Sequence, residues 1–216
     1  MGNNLHDYRK SYEKASLIRE NLDENPFQQF RKWFYDVEKF GGLDEVNAMS
    51  VTTVGEDGFP KTRIVLLKSY DEHGFVFYTN YESEKGQALL NHPQTCLSFF
   101  WPNTERQVII KGIAEKVSEQ VSDQYFASRP KGSQLGALVS NQSSVIANRQ
   151  VLEDELKDLE SEYANKEVKR PDNWGGFLVR PESFEFWQGR PNRLHDRFLF
   201  TKTPEALDWT IERLAP

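Results

Sequence analysis

Tyrosine, arginine and serine side chains with the spacing of a phosphate site stand near the middle of this 216-residue chain. Tyr125 and Arg129 are one helical turn apart, and Ser133 follows the break expected at Pro130. A phenol, a guanidinium and a hydroxyl that converge would suit a phosphate monoester. A surface Tyr–Arg pair explains the same spacing, so this segment alone leaves both interpretations open.

A second candidate is the segment 187–197, which holds three arginines, one histidine and one tryptophan between two expected strands. Removing so many charged groups from water is costly, so a loop of this composition rarely serves a core. The composition therefore favours a functional loop.

A third candidate is the apolar stretch from Arg63 to Lys68, which has a cation at each end. It can be a core strand whose two ends reach solvent. It can also be a strand whose backbone borders a flat ring while the terminal cations hold phosphates. The segment alone does not decide between the two.

Several other classes of protein lack support in the sequence. It contains no glycine-rich phosphate loop, no nucleophile elbow and no metal-ligand cluster, so no metal is expected. A formal net charge of −6 argues against general attraction to nucleic acid. No apolar run approaches the roughly 18 residues of a membrane span, and the N-terminal residues lack the apolar centre of a signal peptide. With Cys96 as the single cysteine, no intrachain disulfide is possible, and we expect a cytoplasmic protein.

The elements that must position these residues are mostly strands. Helices are expected from Pro26 to Gly41-Gly42, near 84–91 and 119–128, and through the apolar face of Leu152, Leu156, Leu159 and Tyr163. Strands are expected at 49–54, 61–68, 75–80, 95–101, 106–117, 176–179, 183–188, 197–201 and 208–213. Short connections predict an antiparallel meander that curls into a barrel decorated by helices. The polar residues 1–24 are expected to form a flexible N-terminal arm, and 25–216 the domain itself.

Six segments, taken together, resemble the pyridoxamine 5′-phosphate oxidase family. They are 63–68, Glu105-Arg106-Gln107-Val108, Ser128-Arg129-Pro130, Gln142-Ser143-Ser144, Trp174-Gly175-Gly176-Phe177 and 187–197, in the family's order and spacing. The likeness runs from about Pro26 to the C-terminus. It implies a mainly β (α+β) fold, an antiparallel split β-barrel that forms a homodimer with FMN sites at the subunit interface. It also implies oxidation of pyridoxine 5′-phosphate or pyridoxamine 5′-phosphate to pyridoxal 5′-phosphate, with O2 as acceptor and H2O2 as by-product.

The resemblance also implies roles for individual residues. FMN would be held at its phosphate by Arg63 and Lys85, and elsewhere by Ile64, Val65, Leu66, Leu67, Lys68, Tyr78, Thr79, Gln107, Gln142, Ser143, Trp187 and Arg197. The substrate phosphate would be bound by Lys68, Tyr125, Arg129 and Ser133. The substrate ring would be contacted by Arg193, Leu194 and His195, with Arg193 and His195 as the catalytic residues. The family's N-terminal substrate contacts map onto Arg9, Lys10 and Tyr12.

Two departures from the family pattern affect these roles. Ala15-Ser16 stands where the family usually has paired glycines, which leaves the role of the arm open. Glu84 stands where the family often has arginine, and because a carboxylate would repel the FMN phosphate, we expect its side chain to point to solvent. Whether His195 removes a proton or only stacks also stays open.

Two other functions are alternatives to the one that the resemblance implies. One is an FMN enzyme of the same fold with another substrate, such as a phenazine-pathway oxidase; the complete set of substrate-phosphate residues argues against it. The other is a non-catalytic protein that binds flavin or pyridoxal phosphate. Such a binder would be yellow but would consume no O2 with substrate.

Overall fold

A computed structural model describes residues 4–203 and 208–216, and over these residues the chain forms five α-helices and nine β-strands. The helices are α1 (Pro26–Phe40), α2 (Glu84–Asn91), α3 (Glu119–Ser128), α4 (Lys131–Val139) and α5 (Arg149–Glu162). The strands are β1 (Ala48–Val54), β2 (Pro60–Leu66), β3 (Ser69–Asp71), β4 (Gly74–Asn80), β5 (Gln94–Trp101), β6 (Arg106–Lys116), β7 (Trp174–Gln188), β8 (Asp196–Lys202) and β9 (Trp209–Leu214). Within this part of the chain, no helix combines the length and apolar character that crossing a membrane requires.

Helix α1 shows why the sequence folds locally as expected. The side chain of Asn25 accepts hydrogen bonds from the first backbone N–H groups, and Pro26 occupies the first turn. Phe30 and Val37 lie on the buried face. Gly41, at φ 72°, ends the helix in a conformation that glycine adopts without strain.

The strands form one sheet in the order β2-β1-β5-β6-β7-β4-β3, with β8 paired to β7 and β9 paired to β8. The pairs β3–β4, β4–β7, β7–β8 and β8–β9 are antiparallel. The expected continuous meander is therefore wrong, because β4 pairs with β7 and not with β5, the next strand along the chain. The connection from β4 to β5 carries helix α2, which makes it long enough for β5 to pair elsewhere.

Strand β7 is a single strand of 15 residues, whereas the sequence predicted two separate strands. Its first half pairs with β4, through Trp174 to Val179. Its second half pairs with β8, from Ser183 to Gln188. Pro181 lies between the two ladders, where its missing N–H removes no hydrogen bond from either one.

Helix α4 was missed because Pro130 was interpreted as a break. Pro130 is instead the residue that caps the start of α4, a position where proline costs no helical hydrogen bond. Leu135 and Val139, four residues apart, are buried on one face and hold the helix in place.

The chain divides into two compact units, each built from segments that are distant in sequence. The first unit comprises Met1–Met49, Leu97–Lys111 and Pro181–Pro216, and the second Ser50–Cys96 and Gly112–Arg180. Aromatic rings fill both cores: Trp33 meets Phe186 edge-on in the first, and Phe77 stacks on Phe177 in the second. That 25–216 behaves as one domain with 1–24 as an arm stays a prediction.

Candidate functional site

The second unit contains a cavity of about 690 Å3, here called the cationic cavity. Its walls come from the end of β2, from β4, from the start of α2 and from the α3–α4 junction. Many residues assigned by the resemblance line it: Ile64, Val65, Leu66, Lys68, Tyr78, Thr79, Lys85, Tyr125, Arg129, Ser133 and Gln142. The fold thus brings together side chains that are up to 78 positions apart, from 64 to 142.

A buried lysine marks one end of the cationic cavity. The Nζ atom of Lys85 donates to Thr79 Oγ1 at 3.2 Å and to Gln142 Oε1 at 3.1 Å. Burial, and then the positive charge of Arg63, lower the pKa of Lys85 to about 8. Two cations held close together in a partly buried site favour an anion between them.

Arg63 is held in place by hydrogen bonds to the neighbouring strand β1. Its Nη1 donates to the carbonyl of Val51 at 3.1 Å and to Thr53 Oγ1 at 2.8 Å. Burial lowers the pKa of Arg63, but an arginine stays charged at any physiological pH. The side chain is not among those that line the cavity, and it acts there through its charge on Lys85.

Lys85 reaches this position because α2 starts directly beside the end of β4. Ser83 caps the helix by accepting the N–H of Gly86. A Cβ atom on Gly86 would lie 2.4 Å from the carbonyl oxygen of Tyr81 and 2.6 Å from that of Asn80. Glycine therefore permits the close approach that places Lys85 at the cavity.

Stacked aromatic rings and an arginine form the other end of the cationic cavity. The rings of Tyr78 and Tyr125 stack with centroids 3.9 Å apart, and Trp174 stacks on Tyr78 at 5.5 Å. The Arg129 guanidinium lies 4.6 Å from the Trp174 ring centroid, and its Nη1 is buried without a hydrogen-bond partner. A buried donor of this kind is costly unless a ligand satisfies it.

The turn between α3 and α4 explains how Tyr125, Arg129 and Ser133 come together. Tyr125 lies in the last turn of α3, and Arg129 is the residue that ends this helix. Ser133 lies in the first turn of α4, where its backbone N–H donates to Pro130. The N-terminus of α4 also carries partial positive charge, which favours an anion nearby.

Leu67 and Ser143 do not line the cavity, and Lys68 lines it from an exposed position. The side chain of Leu67 is buried in the core. Lys68 is exposed, and its backbone N–H donates to Val76 of β4, which fixes it beside that strand. Ser143 has a positive φ of 77°, and its Oγ accepts the N–H of Glu84 at the start of α2. Glu84 itself is half exposed, and its carboxylate pairs with Lys61.

The sequence reasoning missed part of the cavity wall. The additional lining residues are Asn80, Pro130, Gly136, Ala137, Ser140 and Trp174. Trp174 belongs to one of the six segments that carry the resemblance, so a signal for it was present. Gly136 and Ala137 belong to the unpredicted α4, and without that helix their direction could not be inferred.

The first unit holds the segment from Gln188 to Arg197, here called the arginine–histidine loop. Asn192 and Arg193 have φ values of 56° and 62°, in the left-handed region that residues other than glycine rarely adopt. Arg193 and Leu194 are exposed at the tip of the loop. Strained backbone at an exposed arginine is a common feature of functional sites.

His195 is held in a defined orientation within this loop. Its Nδ1 accepts the backbone N–H of Arg190 at 3.1 Å, and its ring lies 4.6 Å from that of Trp187. Burial, and then the charge of Arg193, lower the pKa of His195 below its usual 6.5. The imidazole is therefore neutral at pH 7, and because Nδ1 accepts a hydrogen bond, its proton is on Nε2.

Most arginines of this region are already engaged. Arg190 pairs with Asp196 at 3.5 Å, and Arg197 pairs with Glu185 at 2.8 Å while it also donates to the carbonyl of Ala215. Arg193, in contrast, forms no ion pair with any residue of 4–203 and 208–216.

The remaining predicted residue of the first unit, Gln107, lies half-buried near the start of β6. Among the described residues, its side chain forms no hydrogen bond with the arginine–histidine loop.

The N-terminal residues 8–12 lie against the arginine–histidine loop. A cavity of about 550 Å3 between them is lined by Tyr8, Arg9, Lys10, Ser11, Tyr12, Arg190, Asn192, Arg193 and His195. The ring of Tyr12 lies 5.7 Å from Trp187 and 5.9 Å from His195. The structure thus brings Arg9, Lys10 and Tyr12 to the predicted catalytic pair.

A buried carboxylate anchors this N-terminal segment. Glu105, which has a φ of 58°, accepts the backbone N–H groups of Glu13 at 2.8 Å and Lys14 at 3.0 Å. Its other oxygen lies 3.6 Å from the ammonium of Lys10. The sequence reasoning gave Glu105 no role, although it is part of a recognised segment.

Two models of known protein families match this chain. A family model described as pyridoxamine 5′-phosphate oxidase matches residues 37–162. The chain belongs to the pyridoxamine 5′-phosphate oxidase family. A second family model, the pyridoxine 5′-phosphate oxidase C-terminal dimerisation region, matches residues 174–216.

Relatives of this oxidase family match over the whole chain. The pyridoxine/pyridoxamine 5′-phosphate oxidase of Flavobacterium psychrophilum is 59% identical and aligns with 98% of this chain and 99% of its own length. That of Flavobacterium johnsoniae is 60% identical, with 99% of each covered. The resemblance inferred from six segments is confirmed, and the chain is an enzyme, an oxidase of this family.

A solved structure confirms the fold class. The PhzG protein of Burkholderia lata, in complex with tetrahydrophenazine-1-carboxylic acid, superposes with a TM-score of 0.85 over 93% of this chain and 98% of its own. At 24% identity this likeness shows the fold alone. The predicted antiparallel split-barrel fold with helices, common to the oxidase family, is therefore correct.

Within residues 4–203 and 208–216, no three potential metal-binding side chains cluster.

Proposed function

We propose that the protein is an FMN-dependent oxidase that converts pyridoxine 5′-phosphate and pyridoxamine 5′-phosphate to pyridoxal 5′-phosphate. O2 would be the electron acceptor and H2O2 the by-product. The observation that carries the proposal is the cationic cavity, which is lined by both Lys85 and Arg129. An enzyme that binds a phosphorylated cofactor and a phosphorylated substrate at the same time needs a cationic group for each phosphate.

The substrate phosphate is assigned to the Arg129 end. Arg129 Nη1 is a buried donor with no partner among the described residues, and a phosphate oxygen would satisfy it. The hydroxyls of Tyr125 and Ser133 line the same cavity and can donate to the remaining oxygens. Lys68 adds a cation at the wall.

The FMN phosphate is assigned to the Lys85 end, and the residues fit the group. The pKa of Lys85 is lowered by burial and by Arg63, a penalty that a bound dianion would remove. Ile64, Val65 and Leu66 line the same cavity, where they can border the ring system. FMN, if held there, would supply the two-electron redox chemistry of the reaction: the two electrons and two protons removed from the substrate would end on O2 as H2O2.

Arg193 and His195 are assigned to the substrate ring. Arg193 keeps its charge free of carboxylates within the described residues, so it can stabilise polar ring substituents as they gain charge. His195, with Nδ1 occupied and its proton on Nε2, can donate a hydrogen bond while its ring stays packed against Trp187. Gln107, Trp187, Arg197, Gln142 and Ser143 are proposed to border the flavin.

The assembly and location are also proposals. The match of residues 174–216 to a dimerisation region supports a homodimer with FMN at the interface. The single cysteine suits the reducing cytoplasm, where we propose that the enzyme works.

An oxygen-electrode assay with both substrates tests the proposal directly. We expect a yellow dimer with one FMN per chain that consumes O2 and forms H2O2 with either substrate. A yellow protein without turnover would indicate a binding protein, and turnover only with tetrahydrophenazine-1-carboxylic acid would indicate a phenazine-pathway oxidase. A colourless monomer that stays inactive after FMN is added would refute the assignment.

A further inference from the structure

Glu84 is the acidic residue next to the two cations assigned to the FMN phosphate: it precedes Lys85 in the chain, and its carboxylate pairs with Lys61, two positions before Arg63. Glu84 is also the first residue of α2. Its negative charge acts on both Lys85 and Arg63, because it raises the pKa of each against the larger lowering by burial. A carboxylate at this position would repel a phosphate, and if free it would also compete for the same cations.

Lys61 provides a separate counterion for that carboxylate. Lys61 and Arg63 are two positions apart on β2, so their side chains leave the same face of the strand. The ammonium of Lys61 forms an ion pair with the Glu84 carboxylate. The backbone of Glu84 is held as well, since its N–H donates to Ser143 Oγ at 3.3 Å.

We propose that Lys61 is a positioning residue for the phosphate end of the cationic cavity: by pairing with Glu84, it keeps this carboxylate from neutralising Arg63 and Lys85. The inference rests on the proposed function, in which this end binds the FMN phosphate. The four side chains Lys61, Arg63, Lys85 and Glu84 together carry a charge of +2. Without Lys61 the sum falls to +1, and the remaining negative charge is free to turn toward the two cations.

The ordinary interpretation of this contact is a surface ion pair with little effect, since both side chains are about half exposed or more, at 61% and 49%. The two interpretations differ in what they predict for the ligand. If the contact is only a surface ion pair, loss of Lys61 should change the stability of the fold slightly and should change the affinities for FMN and riboflavin equally. If Lys61 acts on the phosphate site, its loss should weaken FMN binding and leave the binding of riboflavin, which lacks the phosphate, unchanged.

The experiment measures FMN and riboflavin dissociation constants for a double-mutant cycle, using quenching of flavin fluorescence on the full-length apoprotein at low salt. We expect Lys61→Ala to weaken FMN binding about fivefold, the size of one unscreened charge at a few ångströms in water. Riboflavin binding should not change. The double variant Lys61→Ala/Glu84→Ala should return to within about twofold of the wild type, because the group again carries +2. Glu84→Ala alone should bind FMN equally or more tightly.

The chain offers a matched control in the pair Lys166–Glu162, whose side chains are 63% and 55% exposed. Lys166→Ala and Glu162→Ala should leave both constants unchanged. Three results would overturn the inference: FMN affinity unchanged in Lys61→Ala, equal losses for FMN and riboflavin, or a double variant as weak as Lys61→Ala alone. A wild-type protein that binds no FMN would instead refute the proposed function, whereas failure of the inference alone leaves FMN binding and turnover intact.

Discussion

The cationic cavity of the second unit and the arginine–histidine loop of the first use positive charge in opposite ways. In the cavity, Lys85 and Arg129 form no ion pair with any described residue, and neighbouring rings and hydroxyls hold them in place. In the loop, Arg190 forms an ion pair with Asp196 and Arg197 forms one with Glu185, so both arginines stabilise the structure of the loop. The two cations of the cavity are therefore not neutralised by carboxylates of the described residues, whereas Arg190 and Arg197 of the loop are.

The exception in the loop is Arg193, which stands on strained backbone at an exposed tip. The contrast suggests a division of labour. Rigid, desolvated cations at fixed positions suit the binding of phosphates that do not change during the reaction. A single free arginine on a shaped loop suits a group whose charge changes in the transition state.

The largest effect is expected from removing the free arginine of the loop. Arg193→Ala should lower kcat about 100-fold, the usual loss for one electrostatic stabiliser of a transition state. FMN affinity should hold, because the proposed partner of Arg193 is the substrate. Steady-state kinetics and an FMN titration check this, with Arg149→Ala on the exposed helix α5 as control. Loss of FMN would move Arg193 to the cofactor, and an effect on KM alone would make it a second anchor.

Removing Arg129, whose Nη1 is buried at the cavity, should give the opposite kinetic pattern. Arg129→Ala should raise KM about 10- to 150-fold with kcat nearly unchanged, since a charge-assisted contact is worth roughly 1.5–3 kcal/mol in both ground and transition states. Unphosphorylated pyridoxamine or pyridoxine should react equally well with the variant and the wild type. If the variant lost kcat on the phosphorylated substrates instead, the distinction between anchoring and chemistry would fail.

The pH dependence of FMN binding sharpens the comparison at Lys85. Its pKa of about 8 in the free protein means that the ammonium loses its proton as the pH rises above 8. Only the charged form attracts phosphate, so FMN affinity should fall by up to about tenfold per pH unit above that point, with proton uptake on binding. Lys85→Arg should bind FMN with no such loss up to pH 9.5. Equal pH profiles for the two proteins would assign the titration to another group.

Most of the fold and most of the residues that line the cavity could be predicted from the sequence, but the contacts that hold these residues in place could not. Hydrophobic periodicity and turn residues located α1, α2 and α3 and most strands to within a few positions. The pairing of β4 with β7 was not foreseeable, because strand order depends on contacts between segments about 100 residues apart. Likewise, the stack of Tyr78 on Tyr125 and the partnerless Arg129 Nη1 arise only when separate elements pack. Glu105 was overlooked because a lone acidic residue in a sequence does not reveal that it is buried.

The smallest effect on catalysis is expected from Glu105, which holds the N-terminal segment against the loop. Glu105→Gln keeps the shape and one acceptor oxygen but removes the charge that binds the N–H groups of Glu13 and Lys14. Weakening charge-assisted hydrogen bonds to neutral ones costs about 1 kcal/mol, which should speed tryptic cleavage after Arg9, Lys10 and Lys14 about fivefold.

Because Tyr12 packs on His195 and Trp187, the same variant should lose about twofold in kcat/KM. Glu115→Gln, which removes an exposed carboxylate from the second unit, is the matched control and should change neither rate. Faster cleavage with unchanged kinetics would separate the N-terminal segment from catalysis. Unchanged cleavage would show that the bond from Leu17 N–H to Asp196, at 3.0 Å, is sufficient to hold the segment without Glu105. A loss of FMN in Glu105→Gln would indicate that the N-terminal segment acts on the cofactor, through Trp187, and not on the substrate ring alone.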